Sequence, residues 1–151
     1  MNRPIILLAT LALVGCAPMG EYPGLRLGGD EAEVPASFEF LSEHPIVQLE
    51  AMGAVLPRVV NIWGVGLGDS MYVWTDPETG WAQRIDERPD VRVRVGDRVY
   101  ALRAAQVEDE AERARVVGAY LAKYGDELKE MFGRAATVED FELLYRLSPR
   151  I

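Results

Sequence analysis

The chain is poor in the residues that build the commonest metal and nucleophilic sites. Its 151 residues include one cysteine, Cys16, and one histidine, His44. A lone cysteine cannot close a disulfide within the chain, and it excludes zinc ribbons and CxxC redox chemistry. A lone histidine lacks the companions of a metal site, and nothing in the sequence supplies it with a Ser-His-Asp triad. We therefore predict no metal site and interpret His44 as a loop residue.

Positive charge is also scarce. The 16 lysine and arginine residues are outnumbered by 24 aspartate and glutamate residues, which gives a formal net charge of −8. Such an acidic surface repels polyanions at long range, so we expect no nucleic-acid partner. Carboxylates crowd between Glu108 and Glu112, where a helical pattern begins. Negative charges there are stabilised by the positive end of the helix dipole. The cluster is therefore explained without a role in acid–base catalysis.

No apolar run reaches the roughly 20 residues that a membrane-spanning helix needs. The run over residues 5–14 is short, follows Arg3 and closes at Leu13-Val14-Gly15-Cys16. This arrangement resembles the bacterial lipobox, in which small residues precede a cysteine that receives diacylglycerol. The resemblance implies that residues 1–15 are a cleaved signal peptide and that Cys16 is lipid-modified. Ala17, where an inner-membrane protein would show aspartate, implies the outer membrane, facing the periplasm.

Proline and glycine are concentrated directly after this cysteine. Residues 16–36 combine them with acidic residues, a composition typical of an extended chain. We therefore predict a lipidated cysteine and flexible tether over residues 16–36. The remaining residues, 37–151, are enough for one domain with one core.

The first half of this domain shows the period of two that is typical of strands. Strands are predicted over residues 46–51, 58–67 and 70–75, with a hairpin at Gly68-Asp69. This register sets Trp63 opposite Trp74 and Val65 opposite Tyr72. The resulting ribbon is apolar on both faces. We therefore expect a barrel interior to cover one face and a helix or a second subunit to cover the other.

The second half alternates between helix and strand patterns. A short helix is predicted over residues 80–87, because Pro89 ends it, and two strands follow around a hairpin at Gly96-Asp97. Asp109 caps a long helix. Its predicted core-facing stripe consists of Ala114, Val117, Leu121, Tyr124 and Leu128. Residues 141–147 fit a helix or a strand, and we predict a closing strand. The order β-β-β-α-β-β-α-β favours a mainly β (α+β) fold, a small antiparallel barrel with one long and one short helix at its side.

One segment carries a family resemblance. Five positions, Trp81, Ile85, Pro89, Val91 and Val93, match the helix-to-strand signature of the split β-barrel family, and the similarity extends over residues 46–151. That family includes pyridoxamine-phosphate-oxidase-like flavoproteins and deazaflavin-dependent nitroreductases. The resemblance implies a split antiparallel β-barrel, with FMN or deazaflavin F420 as a possible cofactor and an oxidoreductase as a possible activity.

Seven residues are candidates for cofactor binding. Four arginines would hold an anionic phosphate, and three tryptophans would pack on a planar ring: Arg58, Arg84, Arg92, Arg94, Trp63, Trp74 and Trp81. The alternative is that the arginines form a solvated face and the aromatic residues form a core or a dimer interface. We favour this alternative.

The phosphate-binding segment of the family is where this chain departs from the pattern. Cofactor-binding members carry a glycine-lysine or arginine-rich segment between the first two strands, whereas residues 53–58 here supply only Arg58. We therefore expect no cofactor, and a non-catalytic envelope lipoprotein that binds a ligand or a partner protein. A flavin- or deazaflavin-dependent oxidoreductase is the alternative. A module that docks an envelope protein or forms a homodimer is a third possibility.

Overall fold

The computed structural model describes residues 20–23 and 26–151, so Cys16 and the predicted signal peptide lie outside the described residues. The described strands are β1 Gly20–Pro23, β2 Asp30–Glu31, β3 Val47–Met52, β4 Pro57–Ile62, β5 Gly64–Leu67, β6 Ser70–Thr75, β7 Asp90–Val95, β8 Arg98–Gln106 and β9 Leu143–Pro149. The helices are α1 Gly80–Glu87 and α2 Glu110–Phe132, with 3-10 turns at Glu39–Glu43 and Val138–Asp140. Neither α-helix in this part of the chain is long and apolar enough to cross a membrane.

The strands form one curled sheet in the order β1-β4-β3-β7-β8-β9-β6-β5, and β2 adds to β8. Apart from this parallel β2 pair, the strands pair antiparallel, and the split-barrel α+β fold is confirmed. Two hairpins set the register. Gly68 and Gly96 adopt φ of 59° and 58°, a left-handed conformation that costs glycine little. The predicted pairing of Val65 with Tyr72 is confirmed, as is the closing strand β9.

The sheet is covered on both faces, as its pattern predicts. The inner face holds a barrel core that includes Leu49, Val93 and Leu147, each fully buried. On the outer face, Val65 and Tyr72 pack in a second cluster with Val117 and other residues of α2. A helix of this chain therefore covers the ribbon, and no second subunit is needed to bury it.

Helix α2 begins as predicted but faces the sheet differently. Asp109 caps it by accepting a hydrogen bond from the Glu112 N–H at 2.7 Å. Two members of the predicted stripe, Ala114 and Leu121, are exposed, and the prediction is wrong for them. The buried stripe is Val116, Val117, Tyr120, Tyr124 and Leu128. The reason is that tyrosine rings bury more apolar surface than alanine or leucine, so they turn towards the sheet.

The structure differs from the predicted strand over residues 58–67 and from the predicted tether over residues 16–36. The strand expected over residues 58–67 is broken at Trp63 into β4 and β5, where the chain passes from one edge of the split to the other. The segment 16–36 supplies β1, which pairs with β4, and β2, which pairs with β8. Composition misses these strands because edge strands tolerate proline and glycine, and because the pairing partners lie far away in sequence.

Candidate functional site

One pocket lies at the split of the barrel, between the end of β4, the end of β6, the start of α1 and the last turn of α2. Its volume is about 540 Å³, within the usual range of small-ligand sites. It is lined by Val60, Asn61, Ile62, Trp63, Trp74, Thr75, Asp76, Thr79, Gly80, Trp81 and Met131. The chain has three tryptophans, and all three line this tryptophan pocket.

Trp63 packs against a tyrosine side chain of helix α2. It stacks on Tyr124 with ring centroids 4.8 Å apart and an interplanar angle of 11°. The Tyr124 hydroxyl donates to the Pro45 carbonyl at 2.8 Å and accepts from the Gly64 N–H at 3.3 Å. Burial raises the pKa of Tyr124 to about 12. The stacked pair is therefore fixed to the backbone at Gly64, directly after the break, and at Pro45 before β3, which gives the pocket one preformed wall.

Trp74 is packed among aromatic side chains. Its ring centroid lies 4.9 Å from that of Phe141, 6.2 Å from that of Phe132 and 6.4 Å from that of Tyr120. Its indole Nε1 is buried and meets no hydrogen-bond acceptor among the described residues. A buried donor without an acceptor costs about 1–3 kcal/mol, so this wall of the pocket is rigid but not fully satisfied.

Trp81 closes the pocket from the first turn of α1. It is 6% exposed, and its ring lies 6.1 Å from that of Tyr145 on β9. The Tyr145 hydroxyl donates to the Asp86 carboxylate at 2.9 Å, which ties the other end of α1 to the sheet. The short helix is thus fastened at both ends, and the indole is held in place.

The polar groups of the pocket are few and mostly paired with one another. The hydroxyls of Thr75 and Thr79 lie 2.7 Å apart, and Thr79 Oγ1 donates to the Asp76 carbonyl at 2.9 Å. The Asn61 side chain is 4% exposed and accepts from Gln48 Nε2 at 3.0 Å. Asp76 is the only charged residue that lines the pocket within the described part of the chain. The site therefore suits an uncharged, largely apolar molecule.

Two of the predicted phosphate ligands, Arg92 and Arg94, lie on the outer face of β7 and do not line the pocket. Arg92 Nη1 donates to both carboxylate oxygens of Glu50, at 3.2 and 3.1 Å, and its Nη2 pairs with Glu31. Arg94 Nη1 donates to the Gly28 carbonyl at 3.3 Å. Glu50 is 8% exposed and also accepts from the Leu27 N–H at 2.6 Å.

We call this group the arginine face: Arg92, Arg94, Glu50 and residues 27–31. Its arginines fasten the chain before β3 onto the barrel. Their partners in the structure are carboxylates and carbonyls of the protein itself, and the prediction that they gather around a ligand phosphate stays a prediction.

The other two arginines are also absent from the pocket lining. Arg58 stands near the start of β4 and its Nη1 donates to the Pro57 carbonyl at 3.4 Å. Arg84 is half-buried on α1, beside Gly53. The seven candidates therefore divide sharply, since the tryptophans meet in one place and the arginines do not join them.

Lys123 on α2 is not among the predicted site residues, and it binds the backbone at the start of β5. Its Nζ donates to the carbonyls of His44 and Gly64, each at 2.7 Å, and to that of Leu41. Burial lowers the pKa of Lys123 to about 8. Thr75, Asp76 and Met131 were also missed as lining residues. They follow a strand or end a helix, and only the assembled fold brings them to Trp63.

No cluster of His, Cys, Asp or Glu among residues 20–23 and 26–151 could hold a metal ion. Phosphate-bearing cofactors do not fit the pocket either. A phosphate dianion needs several convergent donors, preferably guanidinium groups, and none of the four candidate arginines lines this cavity. The lining of this pocket therefore does not fit the phosphate of FMN or F420, although its indole walls would accept a planar ring.

The fold and pocket define a split-barrel protein. A pyridoxamine 5′-phosphate oxidase-like structure from Listeria innocua has a TM-score of 0.56 at 16% identity, covering 74% of this chain and 88% of its own. An F420-H2 dependent reductase has a TM-score of 0.56 at 19% identity, covering 70% and 95%. HutZ, the heme storage protein from Vibrio cholerae, has a TM-score of 0.58 at 18% identity, covering 75% and 87%. At these identities the likeness establishes the fold alone.

Residues 42–142 match the family described as "Uncharacterized protein conserved in bacteria (DUF2255)", and the chain belongs to this family. No curated protein gives a significant match. The matched region runs from the residues before β3 to the turn before β9, so it contains all three tryptophans of the pocket.

Proposed function

We propose that this protein is a lipid-anchored bacterial envelope protein whose split-barrel domain binds an uncharged, apolar molecule with a planar ring. The tryptophan pocket is the binding site, and the domain acts as a binder without a phosphate-bearing redox cofactor. One observation carries the proposal. Three indoles line a cavity of about 540 Å³ in which Asp76 is the only charged lining residue within the described part of the chain.

The energetics support a ligand without phosphate. In sites that hold a phosphate, charge-assisted hydrogen bonds contribute about 1.5–3 kcal/mol each. Losing two or three of them weakens a micromolar site to a dissociation constant above about a millimolar. Stacking on indoles, in contrast, needs no charge on the ligand, and an aromatic pair contributes about 0.5–1.5 kcal/mol beyond its buried area.

The anchor is proposed from the lipobox-like residues Leu13-Val14-Gly15-Cys16. Diacylglycerol on Cys16 would hold the domain stably, because two acyl chains bind a bilayer where one binds only weakly. Labelling cells with a radioactive fatty acid tests this step. We expect label on the wild-type protein and none on Cys16→Ser, whose signal peptide should also stay attached. Equal labelling of the two proteins would contradict the anchor.

The binding proposal is tested by the molecule that accompanies the protein. We expect protein extracted from native membranes to be colourless and to release an uncharged apolar compound, detected by mass spectrometry. A yellow protein that releases FMN or F420 at one molecule per chain would contradict the proposal.

A second candidate function is a flavin- or deazaflavin-dependent oxidoreductase. The observation in its favour is the wall of indoles, against which a ring system could be oriented while the cofactor supplies the redox chemistry. One of the similar structures is itself an F420-H2 dependent reductase. This candidate requires the phosphate to be held by residues outside the pocket lining, and release of a stoichiometric cofactor in the experiment above would establish it.

A further inference from the structure

Strand β1 brings the chain from the predicted anchor to the rim of the tryptophan pocket. It pairs with β4 so that Gly20 lies opposite Asn61 and Glu21 opposite Val60. Asn61 and Val60 both line the pocket. The start of β1, the end nearest to the anchor in sequence, is therefore one strand away from the cavity.

The length of chain before β1 limits where the pocket can lie. Cys16 precedes Gly20 by four residues. Whatever conformation these residues take, four residues span at most about 14 Å. A lipid on Cys16 therefore holds the start of β1, and with it Asn61, close to the bilayer surface.

The opposite end of β4 lies farther from the proposed anchor. Val55 and Leu56 are exposed apolar residues, but they precede Pro57, which pairs with Met52 of β3. The next residue, Arg58, lies opposite Pro23 at the far end of β1. Four strand residues, roughly 13 Å, separate Pro57 from Asn61. Met131 also lines the pocket and is 57% exposed, so the lining presents an apolar side chain to the outside.

We propose that the mouth of the tryptophan pocket lies against the membrane and that its ligand is a molecule dissolved in the bilayer. The inference rests on the proposed function, because it needs the lipid on Cys16 and an apolar ligand. It adds the source of that ligand. A molecule dissolved in the hydrocarbon core of a bilayer carries no charge there, and this matches a cavity whose described lining contains three indoles and no lysine or arginine.

The test uses the tryptophans as reporters, since all three line the pocket. The full lipoprotein is reconstituted in vesicles of phosphatidylethanolamine and phosphatidylglycerol that contain phosphatidylcholine with a nitroxide on its headgroup. One variant carries ten glycine and serine residues inserted between Pro18 and Met19. Such a spacer adds about 17 Å to the mean reach of the anchor. The matched control carries the same ten residues after Ile151.

We expect nitroxide quenching of the wild type and of the control, and about twofold weaker quenching of the spacer variant, because the pocket then moves away from the surface. Equal quenching of spacer variant and control, or no quenching of the wild type, would overturn the inference. The proposed function is judged separately. If the protein is labelled by fatty acid and binds lumiflavin in detergent, but the nitroxide does not quench its tryptophans, only the membrane-facing pocket is contradicted. If the protein is not labelled, the anchor itself is contradicted.

Discussion

The tryptophan pocket and the arginine face use charge in opposite ways. On the arginine face, Arg92 sits between Glu50 and Glu31 and holds a nearly buried carboxylate against the segment before β3. In the pocket, indoles form the walls and Asp76 is the only charged lining residue of the described chain. The difference shows that arginines in a sequence context typical of binding sites can stabilise the fold, while the walls of a pocket are built from aromatic residues.

The largest expected effect concerns Trp81, which belongs to both the core and the pocket. Trp81→Ala removes a side chain that is 6% exposed and packs near Tyr145, so we expect unfolding free energy to fall by about 3–5 kcal/mol. Urea denaturation followed by circular dichroism measures this. An unchanged urea midpoint would show that the indole is not part of the packed structure, and it would contradict the description of a preformed pocket.

The next effect separates the two regions. Arg92→Met leaves Glu50 buried without its ion pair, which costs about 3 kcal/mol of stability. Ligand binding in the pocket should not change. The matched control is Arg103→Met, whose ion pair with Asp90 is more than half exposed and is worth less than about 1 kcal/mol. If Arg92→Met kept full stability but weakened binding, the roles assigned to the two regions would be reversed.

A smaller effect is expected for Asp76, the one charged residue among the described residues that line the pocket. Asp76→Asn removes the negative charge that opposes an anionic ligand, and it should strengthen FMN binding by about two- to fivefold, the effect of one exposed charge. Binding of lumiflavin, the uncharged ring without phosphate, should stay the same. Fluorescence titration of both ligands gives the comparison. A similar change for both would show that Asp76 acts through the shape of the pocket.

The last prediction concerns the dependence of stability on pH, which the buried tyrosines set. Burial, and for Tyr72 and Tyr145 a carboxylate partner, raises the pKa of Tyr72, Tyr124 and Tyr145 to about 12. Their unfolded value is about 10. The folded protein therefore holds these protons longer, so their contribution to stability is complete below pH 10 and is lost as pH rises towards 12. Unfolding free energies measured at pH 9, 10 and 11 should decline, and Tyr72→Phe should lessen the decline.

Much of the fold follows from local pattern. Period-two alternation and the glycines at Gly68 and Gly96 predict the hairpins, because a left-handed residue at that position sets the register. Extending that register also predicts that Trp63 and Trp74 lie close together, and both line the pocket. What local pattern cannot supply is pairing across distance. The edge strand β1 depends on β4, and the side of α2 that is buried depends on the surface of the sheet.

The same limit explains the arginines. Arg92 and Arg94 alternate with valines on β7, which predicts only that they share a face. Their hydrogen-bond partners are Glu50 on β3 and the backbone carbonyls of residues 27 and 28. The sequence does not indicate that these residues lie beside β7. Aromatic residues are easier to place, because burial leaves them few alternatives.

The central claim is that the tryptophan pocket accepts a planar ring but not its phosphate. Titration of the mature protein with lumiflavin and with FMN, followed by tryptophan fluorescence, tests it most directly, since the chain's three tryptophans all line the pocket. We expect saturable quenching by lumiflavin, and FMN binding at least about tenfold weaker, with a dissociation constant above about a millimolar. Tighter binding of FMN than of lumiflavin, in the low micromolar range and lost in Arg58→Ala or Arg92→Ala, would contradict the claim.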